Sequence, residues 1–599
     1  MRSPRALAPL LLAALLPACG GSGASPSTGT PAPTPVPGSS SNPCSAALAA
    51  TSGVTASAGT PSPKADGFGE DDRDPRDFLA LHLLPRGGGV SSRASSSAAA
   101  RSGDIAVLSD DGSLVIGANP FDVGGTGFRF EPNGQGGYDV RGASSAFRAD
   151  LGKRLRLADD DTSEETLAFP FPFYGTVRAA AFVNSDGNLT FGEGDVATTA
   201  RSLGRLLSGA PRVAPFFADL DPAKGGGVFV AATSDAFTVT WCAVPDFDGT
   251  GKVTAQASLL PGGALEIRID GATTLRDAVV ALSPGATGEF TALDLSAAGG
   301  SAAGGSGAVG ERFAAESSLD LVSASRRFYA EFADDYDQLV FWSDVRVVES
   351  GTFAFESTVE NAVTGIGQEV AHFASAYGSG GRLSSLVVMD DLGKYPADPA
   401  QRANGENSTL ALVAHETGHR WGATLKFRDQ GGGASDAWLG RQRAHWSFYC
   451  DSDASVLEGN DIQDQGGGSF RTVGAVQRYG PFDLYAMGLL AEGDVPPAFF
   501  VEAPSGASQD RESAPRTGVA FTGTRHEVSI GDVVAAMGRR DPPASRSPRA
   551  HRQAWVYVVS RGRSADRAAI EKLETIRRAF EGFFFDATGG RMSVETRLD

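Results

Sequence analysis

The chain has 599 residues, with 52 Lys+Arg against 71 Asp+Glu and a formal net charge of −19, a length that predicts about three folded units. The acidic balance excludes a phosphate-tracking nucleic-acid surface, which needs clustered Lys and Arg, and a hydrophobic content of 41% excludes wholesale disorder. The 76 glycines and 33 prolines predict many turns and much β structure, and four cysteines are too few for a disulfide scaffold.

At the N-terminus, Arg2 and Arg5 precede an apolar run over 6–16. That run is too short to span a bilayer and reads as an export signal. It ends Leu16-Pro17-Ala18-Cys19-Gly20, which resembles a bacterial lipobox. The resemblance implies that 1–19 is a lipoprotein signal and that Cys19 becomes a lipid-modified first residue. The expected location is the outer membrane or cell surface, with the membrane touched through the lipid alone; the plainer alternative is a cleaved signal and a secreted chain. Residues 20–100 are expected to be a disordered tether, 20–63 being rich in Gly, Ser, Pro, Thr and Ala. Besides Cys19 there are Cys44, Cys242 and Cys450. Export permits a disulfide among them, with its partners left open.

Residues 101–161 and 162–298 read as β-rich. Short alternating runs at 104–108, 182–191 (broken by Asp186-Gly187), 237–241 and 265–269 predict an antiparallel sandwich or barrel. Four motifs follow in order: Phe169-Pro170-Phe171-Pro172-Phe173-Tyr174-Gly175, then Val183-Asn184-Ser185-Asp186-Gly187-Asn188-Leu189-Thr190-Phe191, then Ala214-Pro215-Phe216-Phe217-Ala218-Asp219-Leu220-Asp221-Pro222, then Phe237-Thr238-Val239-Thr240-Trp241. This series resembles the extracellular domain of nidogen-type (NIDO-like) proteins over 162–298, and the resemblance implies an adhesion or substrate-docking module. Asp219 and Asp221 are either ligands for a hard cation or turn caps. The Ala- and Gly-rich stretch 299–311 reads as a linker.

Upstream of the chemistry, Leu321, Val322, Ser325, Phe328, Tyr329 and Phe332 have helical spacing, and 338–342 and 382–390 read as strands. Residues 407–422 then read Asn-Ser-Thr-Leu-Ala-Leu-Val-Ala-His-Glu-Thr-Gly-His-Arg-Trp-Gly. Asn407 or Ser408 suits the N-cap of a helix. Four apart, His415 and His419 project from one helix face, a nitrogen pair matched to Zn2+. Glu416 is placed to take a proton from a zinc-bound water, acting as general base.

The motif resembles the active site of zincin metallopeptidases, and through Gly422 it follows the metzincin pattern, in which the glycine turns the chain. The third metzincin ligand would fall at Leu425, which cannot bind zinc. Leishmanolysin-like peptidases carry an insertion at that point; here a Gly- and Asp-rich loop over 428–440 leads to His445, the only histidine between 419 and 526. His445 is therefore the candidate third ligand. Its alternatives are a packed aromatic-cluster role beside Trp446, Phe448 and Tyr449, or replacement by Asp436, Asp451, Asp453 or Glu458. Met487 is a candidate methionine turn beneath the metal, or a core methionine. Asp483 is placed to orient a ligand histidine, and Tyr449, Tyr479 or Tyr485 to bind the oxyanion. The strand at 382–390 is expected to be the edge to which an extended substrate adds.

Residues 501–599 read as an extension packed on the catalytic unit, with a strand at 554–560. Ser564 is the expected cap of a helix burying Ile570, Leu573, Ile576, Phe580 and Phe583. His526 and His551 are expected at the surface, the alternative being that either approaches the zinc cleft and assists catalysis. The fold class expected is multidomain, a β-rich sandwich-like unit followed by an α+β zincin-like domain over 312–500. The function expected is a secreted or surface-anchored zinc metalloendopeptidase acting on protein or peptide substrates and not on nucleic acid. The alternatives are an adhesion lipoprotein with a structural zincin domain, and a non-peptidase zinc amidase.

Overall fold

The computed structural model describes residues 43–51, 73–84, 99–197, 200–247, 249–297, 301–349 and 352–599. The expected signal, Cys19 and most of the expected tether lie outside these residues. The described chain is β-rich, with several sheets.

Two sheets, of seven and eight strands, face each other across one apolar core. Thr162–Phe173, Thr176–Asn184, Asn188–Thr190, Arg212–Phe217 and Ala278–Ser283 belong to the first. Gly227–Ala232, Phe237–Pro245, Lys252–Leu259 and Leu265–Ile269 belong to the second. Phe171 and Phe173, Ala181 and Val183, Val239 and Trp241, and Ile267 and Ile269 all enter the core, the period of two that a pleated strand imposes. The Trp241 indole keeps its polar atom satisfied there by donating to the Asn184 carbonyl at 3.1 Å. The reversal at Asp186-Gly187 needs its glycine: φ is +66°, and a Cβ would meet the Phe216 carbonyl oxygen at 2.0 Å.

Two stretches expected to be unstructured carry regular structure in their described residues. Within 299–311, Ser301–Ala302 and Ala308–Phe313 add strands to the two sheets. The small residues serve close packing rather than flexibility, since a Cβ on Gly304 would lie 1.9 Å from the Tyr138 carbonyl oxygen. Within 20–100, Cys44–Thr51 and Pro75–Leu81 are helices. Cys44 is disulfide-bonded to Cys242, and Cys450 is a buried free thiol. The helix Pro75–Leu81 starts at Asp74, which accepts from Arg76 N at 2.8 Å. It packs Ala80 against Leu203 and Leu206, while Phe78 and Leu81 enter a different core beside Phe328 and Phe341. A few anchoring side chains suffice, which is why composition hides them.

The sheet that carries the site is assembled from remote stretches. Its order is Ala100–Ser102, Ile105–Ser109, Ala550–Val559, Gln338–Ser343, Ser385–Asp391, Phe355–Thr358, with Ser593–Glu595 pairing beside Ala550–Val559. The four strands from Ile105–Ser109 to Ser385–Asp391 are parallel, and Phe355–Thr358 is antiparallel. Both faces are covered, so these strands read as nearly continuous apolar runs. Val340 and Trp342 face a core shared with the helices Thr409–His419 and Arg567–Ala587; Leu339 and Phe341 face the helix Leu321–Tyr329.

Four sequence expectations change here. Ser385–Asp391 is flanked on both sides, so Phe355–Thr358 holds the sheet edge. Residues 100–109 join this sheet and not the sandwich. Residues 501–599 are woven into it, because Ala550–Val559 is a central strand, and 500 itself falls inside the strand Ala498–Ser505. The last long helix is capped by Asp566 rather than Ser564, and it buries Leu573, Ile576 and Phe580 completely. Between the site helix and that strand, Cys450–Asp451, Asn460–Gly466, Ser469–Ala475, Ala498–Ser505 and Ala520–Val528 close a small barrel around Ile462, Phe470, Phe499 and Phe521.

Candidate metal centre

Of the two candidate caps, Ser408 starts the helix Thr409–His419: its hydroxyl accepts from Ala411 N at 3.1 Å. All eleven helical residues are buried, so its polar side chains need partners. Thr417 lies about 200° round the helix from His415. Its hydroxyl donates to Gln338 Oε1 at 3.3 Å and accepts from Gln553 Nε2 at 2.9 Å. Both glutamines are fully buried on adjacent sheet strands. This polar tie on the sheet side fixes the rotation of the helix, and with it the direction of His415 and His419.

His445 reaches the same place by a folded-back loop. Phe427–Arg428 pairs with Ala434–Ser435, and the Trp438 indole donates to the Leu425 carbonyl at 2.7 Å. Gln442 and Arg443 then take φ of 56° and 58°, left-handed conformations that cost roughly 1–2 kcal/mol per non-glycine residue. The turn is held by Ala423 N donating to the Ala444 carbonyl at 3.1 Å and Gly440 N to the His445 carbonyl at 2.8 Å.

The three imidazoles are at most 1% exposed. Each Nδ1–H donates to a main-chain carbonyl: His415 to Val456 at 2.7 Å, His419 to Gly422 at 3.0 Å, His445 to Arg441 at 2.9 Å. A carbonyl accepts only, so the proton sits on Nδ1 and each neutral ring offers an Nε2 lone pair. The His415 Nε2 stands 3.0 Å from that of His419 and 3.3 Å from that of His445. Lone pairs facing at this range repel unless a cation sits among them. Two nitrogens bound at about 2.05 Å to a tetrahedral ion would lie about 3.3 Å apart, close to what is seen. Among the described residues this is the one group of three His, Cys, Asp or Glu donors so arranged, and it can hold a metal ion. Glu416, 2% exposed, follows directly on His415.

The remaining expected residues are placed as follows. Glu458 stands outside the donor group; it pairs with Arg441, Oε1 to Nη2 at 2.9 Å and Oε2 to Nε at 3.3 Å. Burial raises its pKa, but the Arg441 guanidinium and its hydrogen bonds bring it below the ordinary value. Asp436 pairs with Arg443, Asp451 accepts from Ile462 N, and Asp453 faces Arg478. Among its contacts in the described residues, Asp483 has none of the three histidines. It accepts from the Trp446 indole at 2.9 Å, the Ser455 hydroxyl at 2.6 Å and Gly480 N at 2.7 Å, so it acts on His445 only through the neighbouring tryptophan. Burial raises its pKa to about 6. Asp483 and Trp446 also line a cavity of about 250 Å³ that none of the three histidines enters.

The three tyrosines are directed elsewhere. Tyr479 donates to the Ala414 carbonyl and Tyr449 to that of Gln509, each at 2.5 Å, and the Tyr485 hydroxyl accepts from Arg540 N at 3.1 Å. Met487 is buried in the core that includes Trp446 and Tyr479, at the C-cap of the helix Pro481–Ala486. Gly422 has no left-handed φ; its carbonyl serves as the His419 partner. The sterically required glycine is Gly418, where a Cβ would meet Tyr479 Cε1 at 2.8 Å. Asp219 pairs with Arg201, and Asp221 accepts from Ala223 N. His526 stacks on Phe500, while His551, expected at the surface, is 4% exposed and edge-on to Trp421. Burial lowers the His551 pKa to about 4.

Sequence reasoning passed over Arg441. No local signal marks it, since its partners Glu458 and His445 are brought to it by the left-handed turn.

The NIDO-related family model matches residues 137–307, wider than the 162–298 read from motifs and spanning the sandwich strands from Tyr138–Ala143 to Ser301–Ala302. No curated protein and no solved structure matches the chain.

Proposed function

We propose that this chain is an exported zinc metalloendopeptidase, held at the cell surface through Cys19, with a zincin-like catalytic unit of the leishmanolysin type. The observation that carries the reading is the convergence of three Nε2 lone pairs, each fixed by an Nδ1–H donated to a carbonyl, on a helix in which the buried Glu416 directly follows His415. Zinc suits an all-imidazole set and, when bound, supplies Lewis acidity toward a carbonyl oxygen. Glu416 takes the proton from the attacking water and passes it to the departing amine. The antiparallel edge strand Phe355–Thr358 contacts the site helix, which supports the binding of an extended peptide there as an added strand. The NIDO-related unit serves docking on a polymeric or surface substrate, and the Cys44–Cys242 disulfide fits an oxidising compartment.

A second reading, an adhesion lipoprotein with a structural metal, is favoured by the NIDO-related match. Unfolded protein incubated with the zinc-loaded full chain separates the two. Fragments that vanish with a chelator and return with zinc support the peptidase; intact protein beside a metal-bound chain supports adhesion.

A further inference from the structure

The hydroxyls of Tyr449, Tyr479 and Tyr485 are engaged away from the histidines, so none of these three is the oxyanion donor of the proposed peptidase. The structure does place a guanidinium beside the histidines. Arg441 Nη2 donates to His445 Nε2 at 3.2 Å, the same atom that faces His415 at 3.3 Å, so a metal that takes this lone pair would free that N–H for another acceptor. The Arg441 carbonyl meanwhile accepts from the other nitrogen of that ring at 2.9 Å. One residue thus holds His445 from the backbone and puts a cationic donor beside the position where the imidazoles converge.

Stability alone gives no reason for this arrangement. Arg441 is 9% exposed and Glu458 2%, and a buried ion pair is commonly no better than apolar residues of the same volume. Glu458 also takes φ of +59°, a further cost for a non-glycine residue. The pair makes physical sense as a preorganised device. Glu458 offsets the guanidinium charge, which otherwise would repel a metal dication, and grips Nε and Nη2 so that the planar fork has one orientation.

We propose that Arg441 is a catalytic residue that donates a hydrogen bond to the oxyanion formed from the substrate carbonyl, with Glu458 as its positioning residue. The proposal rests on the peptidase reading. When water oxygen bonds to the carbonyl carbon, the C=O π pair moves onto oxygen and the water proton goes to Glu416. Arg441 meets the negative oxygen. The pair then returns as the C–N bond breaks, and the proton leaves with the amine. Donors fixed in advance toward such an oxygen act mainly on the transition state.

The test uses the full chain loaded with cobalt(II), with inorganic phosphate as a tetrahedral oxyanion probe followed through the cobalt visible bands. Wild type is compared with Arg441→Lys, Arg441→Met and the double variant Arg441→Met/Glu458→Gln, which leaves no buried carboxylate stranded. Cobalt binding is expected in all four. Phosphate binding is expected to weaken about tenfold or more in both Met variants, with Arg441→Lys between. On a peptide, kcat is expected to fall about 100-fold with KM little changed. Equal phosphate affinities, or a raised KM with kcat kept, would overturn the role of Arg441 alone. A wild-type chain that binds no cobalt would overturn the metal centre, and the role of Arg441 with it.

Discussion

Thirty positions separate His415 from His445, yet their Nε2 atoms stand 3.3 Å apart. A helix brings His415 and His419 together by its own geometry, whereas His445 depends on the left-handed turn at Gln442 and Arg443 and on the hydrogen bonds that hold it. The third donor of the group is therefore the one whose position is set by tertiary structure.

Replacing His445 by Ala should weaken metal binding by about 100-fold or more, since even partners one bond removed from a metal contribute 10–100-fold. His526→Ala should leave it unchanged, because that ring stacks on Phe500. Competition with a chromophoric chelator measures both.

Asp483→Ala should destabilise the fold by roughly 2 kcal/mol or more, because it leaves three buried donors, on Trp446, Ser455 and Gly480, without their acceptor. Metal affinity should fall as well, since Trp446 adjoins His445. Denaturant melts with and without metal test this, and an unchanged midpoint would refute it.

Asp159 predicts a pH dependence outside the metal centre. Burial first, then the charges of Asp160, Asp221 and Asp219, raise its pKa to about 7, against about 3.9 in an unfolded chain. Between those values the native state holds more proton than the unfolded one, so this group makes stability fall as pH rises from about 4 to 7. Its Oδ1 is buried with no hydrogen-bond partner among the described residues. Asp159→Asn should raise the melting temperature at pH 8 and change it little at pH 4; melts at the two pH values decide.

The thiols report on the N-terminus. Cys44 and Cys242 are bonded and Cys450 is free but buried, so the denatured, unreduced chain should show a single reactive thiol if Cys19 is acylated. Two would contradict the lipid anchor.

How much could be read in advance follows the range of the interactions. The site helix was legible because cap, apolar filling and the four-residue histidine spacing are all local. His445 could be named because histidine is rare in the chain. The sheet was not legible: Ala550–Val559 pairs with Gln338–Ser343 and with Ile105–Ser109, and strand partners hundreds of positions apart leave no local mark. The edge was assigned to the wrong strand because Phe355–Thr358 is only four residues long. Arg441 stays hidden, and Glu458 is legible only as a candidate ligand and not as its partner, because charged residues read as surface until burial is known. The sandwich was readable from its alternation and aromatic motifs, but its last strands were mistaken for a linker because close backbone packing and flexibility both select glycine.

The most direct measurement is cleavage of an unfolded protein by the zinc-loaded full chain beside its Glu416→Gln variant, with zinc content determined for each. Retained zinc in both, with the rate in the variant lower by about 10²–10⁴-fold, is the expected result. Equal cleavage by the two, or none by either although both hold zinc, would contradict a peptidase in which Glu416 moves the proton.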